Sequence, residues 1–276
     1  IVTVMLQSRY KYMSVSALAF AALAFPASAV STCELADGLP LDPVAYNQEV
    51  AACYSTPTSI AKDAKLEKDL IQATDAVRAA DNEPALIPLA SLEEAARIHA
   101  MDMAARNYAG HTDKEGRGHL ERVRMLDRSV LIGAAGANIA ILEGEGDAEA
   151  VFNALRADPV NASNMTRDAF THTGIGIAKA NGRTYIVQLF ARVDGHLESP
   201  LPVQVSGPAD IKATFEEKGV QPVGWRLTTP DGETVARGYG ANMTGTLAPG
   251  QQAYVTFDMA RNTQEYALRG PLVVGR

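Results

Sequence analysis

From residue 60 onward the apolar positions fall into two textures. In the first, Leu66, Leu70, Ala73 and Val77 mark one face of a helix predicted over 60–81, with Asn82-Glu83-Pro84 as its stop. Leu92, Ala95, Ala96, His99, Ala100 and Met103 form the inner stripe of a second helix over 91–107, where Ser91 and Glu94 have capping-box spacing. A short helical piece near 120–126, a strand within 130–142 and a helix over 147–156 follow, the last ending before Asp158-Pro159. Runs 174–178 and 184–193 read as strands of a hairpin, because Asn181-Gly182 between them tolerates the positive φ of a tight primed turn.

The second texture begins near His196. Short alternating runs at 203–205, 211–215, 223–228, 234–237, 243–247, 253–258 and 266–274 are parted by turns such as Pro230-Asp231-Gly232 and Ala248-Pro249-Gly250. Seven short strands with regular turns predict a small β-sandwich, with Trp225 in its core. The fold class expected is therefore α+β: a helix–sheet domain over 60–195, then an all-β domain over 196–276.

The start of the chain reads as an address. Arg9 and Lys11 precede an apolar run at 14–25, and Ala27-Ser28-Ala29 ends it, so 1–29 is expected to be a signal peptide cleaved after Ala29. The run is too short for a membrane span, and the mature chain is expected to be exported, periplasmic or secreted, without a transmembrane helix. Export changes the meaning of the two cysteines. In an oxidising compartment Cys33 and Cys53 are expected to form a disulfide that closes the 30–59 segment, worth about 3 kcal/mol. A lipidated Cys33 is the alternative, and bulky Thr32 beside it is a poor fit.

The formal charge of −7 sets the average surface against phosphate backbones, so no nucleic-acid partner is expected. GxSxG, HExxH, a phosphate-binding glycine loop and an EF-hand loop are all absent.

An ordered set of landmarks says more. Asp75-x-x-Arg78, Leu92-x-x-Ala95-Ala96-x-x-His99-Ala100-x-Asp102-Met103, Tyr108-x-x-His111-Thr112, Gly136-Ala137-Asn138-Ile139-Ala140 and Phe170-Thr171-x-x-Gly174-Ile175-Gly176 follow one another along the chain. Together, over 66–193, they resemble the bacterial, SCP-like branch of the CAP superfamily, whose relatives are the cysteine-rich secretory, venom-antigen and pathogenesis-related proteins. The resemblance implies an exported α-β-α sandwich with a cleft that presents two histidines and one or two glutamates, and that binds zinc in some members. Position by position, His111 matches the first histidine. Ala137 stands for the glutamate of Gly-Glu-Asn-Ile, Asn161 for the second histidine, and His172 for a glutamate two residues before the Gly-x-Gly strand.

The cleft so implied is degenerate, with His111, Asn138, Asn161 and His172 as candidate ligand-binding residues. The function expected is non-catalytic binding of a small or lipid-like ligand or a cell-envelope component, with no cofactor. Two alternatives stand beside it: a metal-dependent hydrolase holding zinc through His111 and His172, and a structural or adhesive envelope protein. His99 is expected in the core, bonded to a carboxylate or carbonyl, and His119 and His196 at the surface.

Overall fold

The computed structural model describes residues 33–55, 60–207, 209–216, 220–261 and 264–276; the expected signal peptide, 1–29, lies outside them. The elements in chain order are α1 Pro43–Ser55, β1 Ala61–Lys62, α2 Ala64–Ala80, β2 Ile87–Pro88, α3 Ala90–Arg106, α4 His119–Leu126, β3 Val130–Glu143, α5 Ala148–Arg156, α6 Pro159–Met165, β4 His172–Ala180 and β5 Arg183–Leu197. The C-terminal strands are β6 Gln204–Val205, β7 Ala209–Ile211, β8 Ala213–Phe215, β9 Gln221–Thr228, β10 Thr234–Tyr239, β11 Met243–Gly245, β12 Gln252–Arg261 and β13 Gln264–Gly275.

The hairpin forms where Asn-Gly placed it: Asn181 and Gly182 both take positive φ, and β4 and β5 pair in register from Ala180–Arg183 back to His172–Ala191. β3 lies along the other side of β5. Alternation along these strands gives the sheet two buried faces. On one, Val187, Leu189, Ala137 and Ala178 meet α1, α3 and α4. On the other, Ile175, Ile177, Ile186 and Phe190 meet α2 and α5. Gly174 and Gly176 let α3 settle on β4, since a Cβ at either would lie 2.1 Å from the backbone nitrogen of Glu93 or Arg97. The layers are therefore helix, sheet, helix.

The C-terminal strands continue the same sheet. Its order is β1-β4-β5-β3-β13-β12-β9-β10, with Arg269 of β13 facing Ile132 of β3 across the join. The small β7–β11 sheet covers the other side of a second core, built from Trp225, Leu227, Val255, Phe257 and Leu268. Two arginines fasten the halves. Arg124 donates to Gly270 O at 2.6 Å and Val255 O at 2.8 Å, and stacks over Tyr254. Arg128 reaches Leu201 O at 2.8 Å and Leu272 O at 2.9 Å. Because α4 lies over Tyr254, strand β12 is covered on both faces: Ala253, Val255 and Phe257 are buried on one, and Thr256 is buried and Tyr254 partly buried on the other.

Several local expectations change. The 30–59 segment contains α1, whose Tyr46, Val50 and Cys53 point inward, and Cys53 is bonded to Cys33. The capping box at Ser91 does not form. The helix starts at Ala90 with Leu89 as its cap, which leaves the Ser91 hydroxyl buried and without a hydrogen-bond partner among the described residues. Asp158-Pro159 begins a helix, α6, with Asp158 accepting from Val160 N and proline in the first turn, where its missing N–H costs nothing. Trp225 is in the second core, as expected.

Candidate functional site

Helix α3 ends at Asn107 in the left-handed region, and the following loop runs to α4. Buried ion pairs hold that loop. Arg106 grips Asp102 through two bonds of 2.7 Å and reaches Glu115, while the Tyr108 hydroxyl donates to Asp102. At the far end Arg117 Nε donates to Asp113 at 2.7 Å, and its Nη2 caps Leu39 O. Arg122, fully buried on α4, ties both parts together by donating to Arg117 O and to His111 O at 3.1 Å. No carboxylate among the described residues forms an ion pair with Arg122, and burial lowers its pKa.

His111 is thereby presented at the surface by its own backbone. Beneath it lies His99, buried, its Nε2–H donating to Gly110 O at 2.8 Å. Neutral His99 therefore carries an acceptor at Nδ1, which has no hydrogen-bond partner among the described residues; nor do Tyr46 Oη and Arg122 Nε. Burial, then the Arg122 charge, pushes the His99 pKa down to about 3. His119 is half-buried rather than superficial, and burial with Arg122 lowers its pKa to about 4. Three histidines, Tyr46 and a buried arginine so share the α1–α3–α4 side of the sheet.

The other candidates lie elsewhere. Asn138 points to the opposite face. Its amide donates to Asn161 O at 2.9 Å and Gln188 Oε1 at 3.2 Å, and its oxygen accepts from Asn164 at 3.0 Å. Gln188 in turn donates to Thr74 Oγ1, which donates to Leu70 O. Asn161 is buried, and its amide donates to Ile139 O. Both asparagines are thus spent on fixing α6 and α2 to the sheet. Ala137, next to Asn138 in sequence, packs in the apolar core on the His99 side. His172 opens β4 and lies 2.8 Å from Thr171 Oγ1. Burial lowers its pKa, with His196 and Glu216 as its charged neighbours, whereas His111 acts on His99 and His119. Among the described residues no contact joins His111 to His172.

Arg78 was legible only as a landmark. Fully buried, it donates to Pro84 O, Met165 O and Arg167 O at 2.7, 3.0 and 3.0 Å, which shapes the chain entering β4. Asp75 beside it accepts from Leu86 N. Residues 71–190 match the model of the Cysteine-rich secretory protein family, CAP. They form a CAP domain.

Two solved structures resemble part of the chain that holds this CAP domain. An extracellular protein containing a SCP domain from Bacillus anthracis str. Ames aligns with TM-score 0.40 at 23% identity, covering 55% of this chain and 44% of that one. An outer surface protein from Borrelia burgdorferi aligns with TM-score 0.43 at 20% identity, covering 48% of this chain and 98% of that one. This chain thus spans less than half of the Bacillus protein. No curated protein matches it. Among the described residues, no helix is long and apolar enough to cross a membrane.

Proposed function

We propose that this protein is an exported CAP-domain binding module without catalytic chemistry at the cleft, holding a small or lipid-like ligand or a cell-envelope component. The observation that carries the reading is the fate of the cleft positions. Asn161 is consumed by Ile139 O and Asn138, Ala137 is sealed in the apolar core, and exposed His111 belongs to no group of three candidate ligand atoms among the described residues. Zinc in a catalytic site takes about three protein ligands, and this donor set does not fit it. Among the described residues, the one group of three Cys, His or carboxylate ligand atoms close enough to share an ion is Cys33, Glu49 and Cys53, where the two sulfurs are bonded to each other. Export is supported by that disulfide and by the signal-like pattern of residues 1–29.

Calorimetric zinc titration of the chain from Val30, with His111→Ala and His172→Ala beside it, tests the reading, together with titration of a fluorescent fatty acid. Saturable fatty-acid binding with no stoichiometric zinc uptake is expected. One-to-one zinc binding near micromolar, about −8 kcal/mol, lost in both variants, would overturn it in favour of a metal-dependent hydrolase.

A further inference from the structure

The face of the main sheet that α4 covers at Tyr254 emerges into the open beyond it. There β10, β9, β12 and β13 place Tyr239, Gly224, Asp258 and Ala267 directly opposite one another in one row, so all four stand on the same side. The neighbouring row on that side is Arg237, Arg226, Thr256 and Arg269. The first row and its surroundings line a groove of about 850 Å³, within the usual span of ligand sites.

Four properties of the groove narrow its occupant. Tyr239, on the outermost strand, is 95% exposed, and it shares the groove with Val223, another of the large apolar residues left exposed. An aromatic ring presented in this way offers an apolar face with a polar tip. Gly224, directly between Tyr239 and Asp258, gives a floor without a side chain, so a flat ring can lie against Tyr239. Next, Asp258 is held by Arg226 at 3.0 Å and half-buried, which makes it a positioned acceptor rather than a loose surface charge. Finally, the lining balances two guanidinium groups, Arg226 and Arg237, against two carboxylates, Asp258 and Glu265. Arg237 makes no ion pair or side-chain hydrogen bond among the described residues, so its donors are available.

A balanced lining gives a polyanion no net attraction. A chain of hydroxyls, each both donor and acceptor, can use both signs of partner at once. We infer that this groove binds a neutral polysaccharide, with one sugar ring stacked on Tyr239 and its hydroxyls shared by Asp258, Arg226 and Arg237. The site belongs to the C-terminal strands and is independent of the CAP-domain cleft.

The test is affinity electrophoresis of the whole chain through gels containing β-glucan, galactomannan or starch, with hyaluronate as an anionic comparator, and sedimentation with chitin and cellulose. At least one neutral glycan is expected to retain the protein. Tyr239→Ala and Asp258→Asn should each weaken retention at least tenfold, while Tyr239→Phe keeps it. Tyr239 is so exposed that its removal leaves the fold intact, and circular dichroism of each variant checks this. The inference is overturned if no neutral glycan retains the chain, if Tyr239→Ala binds as tightly as the parent, or if hyaluronate is held more strongly than every neutral glycan.

Discussion

The two faces of the CAP-domain sheet handle buried polarity in opposite ways. On the α2–α5–α6 side, Thr74, Gln188, Asn138, Asn161 and Asn164 form a chain of neutral groups whose donors and acceptors meet one another, and the buried Arg78 beside them spends its guanidinium on backbone carbonyls. On the α1–α3–α4 side the buried groups are ionisable, and Tyr46 Oη, His99 Nδ1 and Arg122 Nε have no hydrogen-bond partner among the described residues. A satisfied neutral network fixes geometry and is indifferent to pH; an incompletely bonded, ionisable one responds to protons and solutes. The first face is therefore scaffold, and the second is where conditions can act on the molecule.

The largest effect that would break this contrast is expected from Arg78→Leu. Four backbone carbonyls, of Pro84, Met165, Arg167 and Phe170, lose their donor at once, and urea unfolding should show a loss of about 4 kcal/mol. Asn138→Leu strikes the centre of the amide chain and should cost about 3 kcal/mol in the same measurement, since Asn161 O, Gln188 Oε1 and the Asn164 amide each lose a hydrogen bond. A cost below about 0.5 kcal/mol would mean that the chain is decorative.

Much of this was readable from sequence, and the failures have physical causes. The Asn181-Gly182 hairpin was legible because the turn requires positive φ that those residues supply. Helix α6 was missed because Asp-Pro reads as a stop when approached from α5, although the same pair is a cap followed by a first-turn proline. Helix α1 was hidden by the disulfide that closes over it. At the site, His111 was legible as part of a motif, but Arg122, which holds its carbonyl, lies eleven residues away and carries no motif of its own. Asn138 and Asn161 were legible as positions; their mutual hydrogen bond is a tertiary fact.

On the titrating side the expected effects are smaller and depend on pH. His99 ordinarily titrates near 6.5 and here near 3. Above pH 6.5 both folded and unfolded chains are neutral at this ring, and the full stability is present. Between 6.5 and 3 only the unfolded chain takes up the proton, so stability falls as pH falls, by about 1.4 kcal/mol per pH unit. His119, lowered to about 4, adds a slope of the same sign. Unfolding midpoints from about pH 7.5 to about pH 5 should show the decline, and His99→Gln should flatten it; an unchanged slope would separate His99 from the titration. Smallest of all, Arg122→Met exchanges two carbonyl bonds for relief of an unpaired buried charge. A net change of about 1 kcal/mol or less is expected, with faster amide exchange around His111 as its clearer sign.

Strand β13 beside β3 gives the C-terminal extension a protective role. A chain cut near His196 would leave β3 as an open edge, its amide and carbonyl groups offered to any passing strand, and would free the tail of β5 from β8. Such a fragment is expected to associate with its own copies edge to edge. The family-matched half would then keep its motifs and lose its solubility, so insertions and deletions in either half are constrained by a seam that neither half's sequence displays.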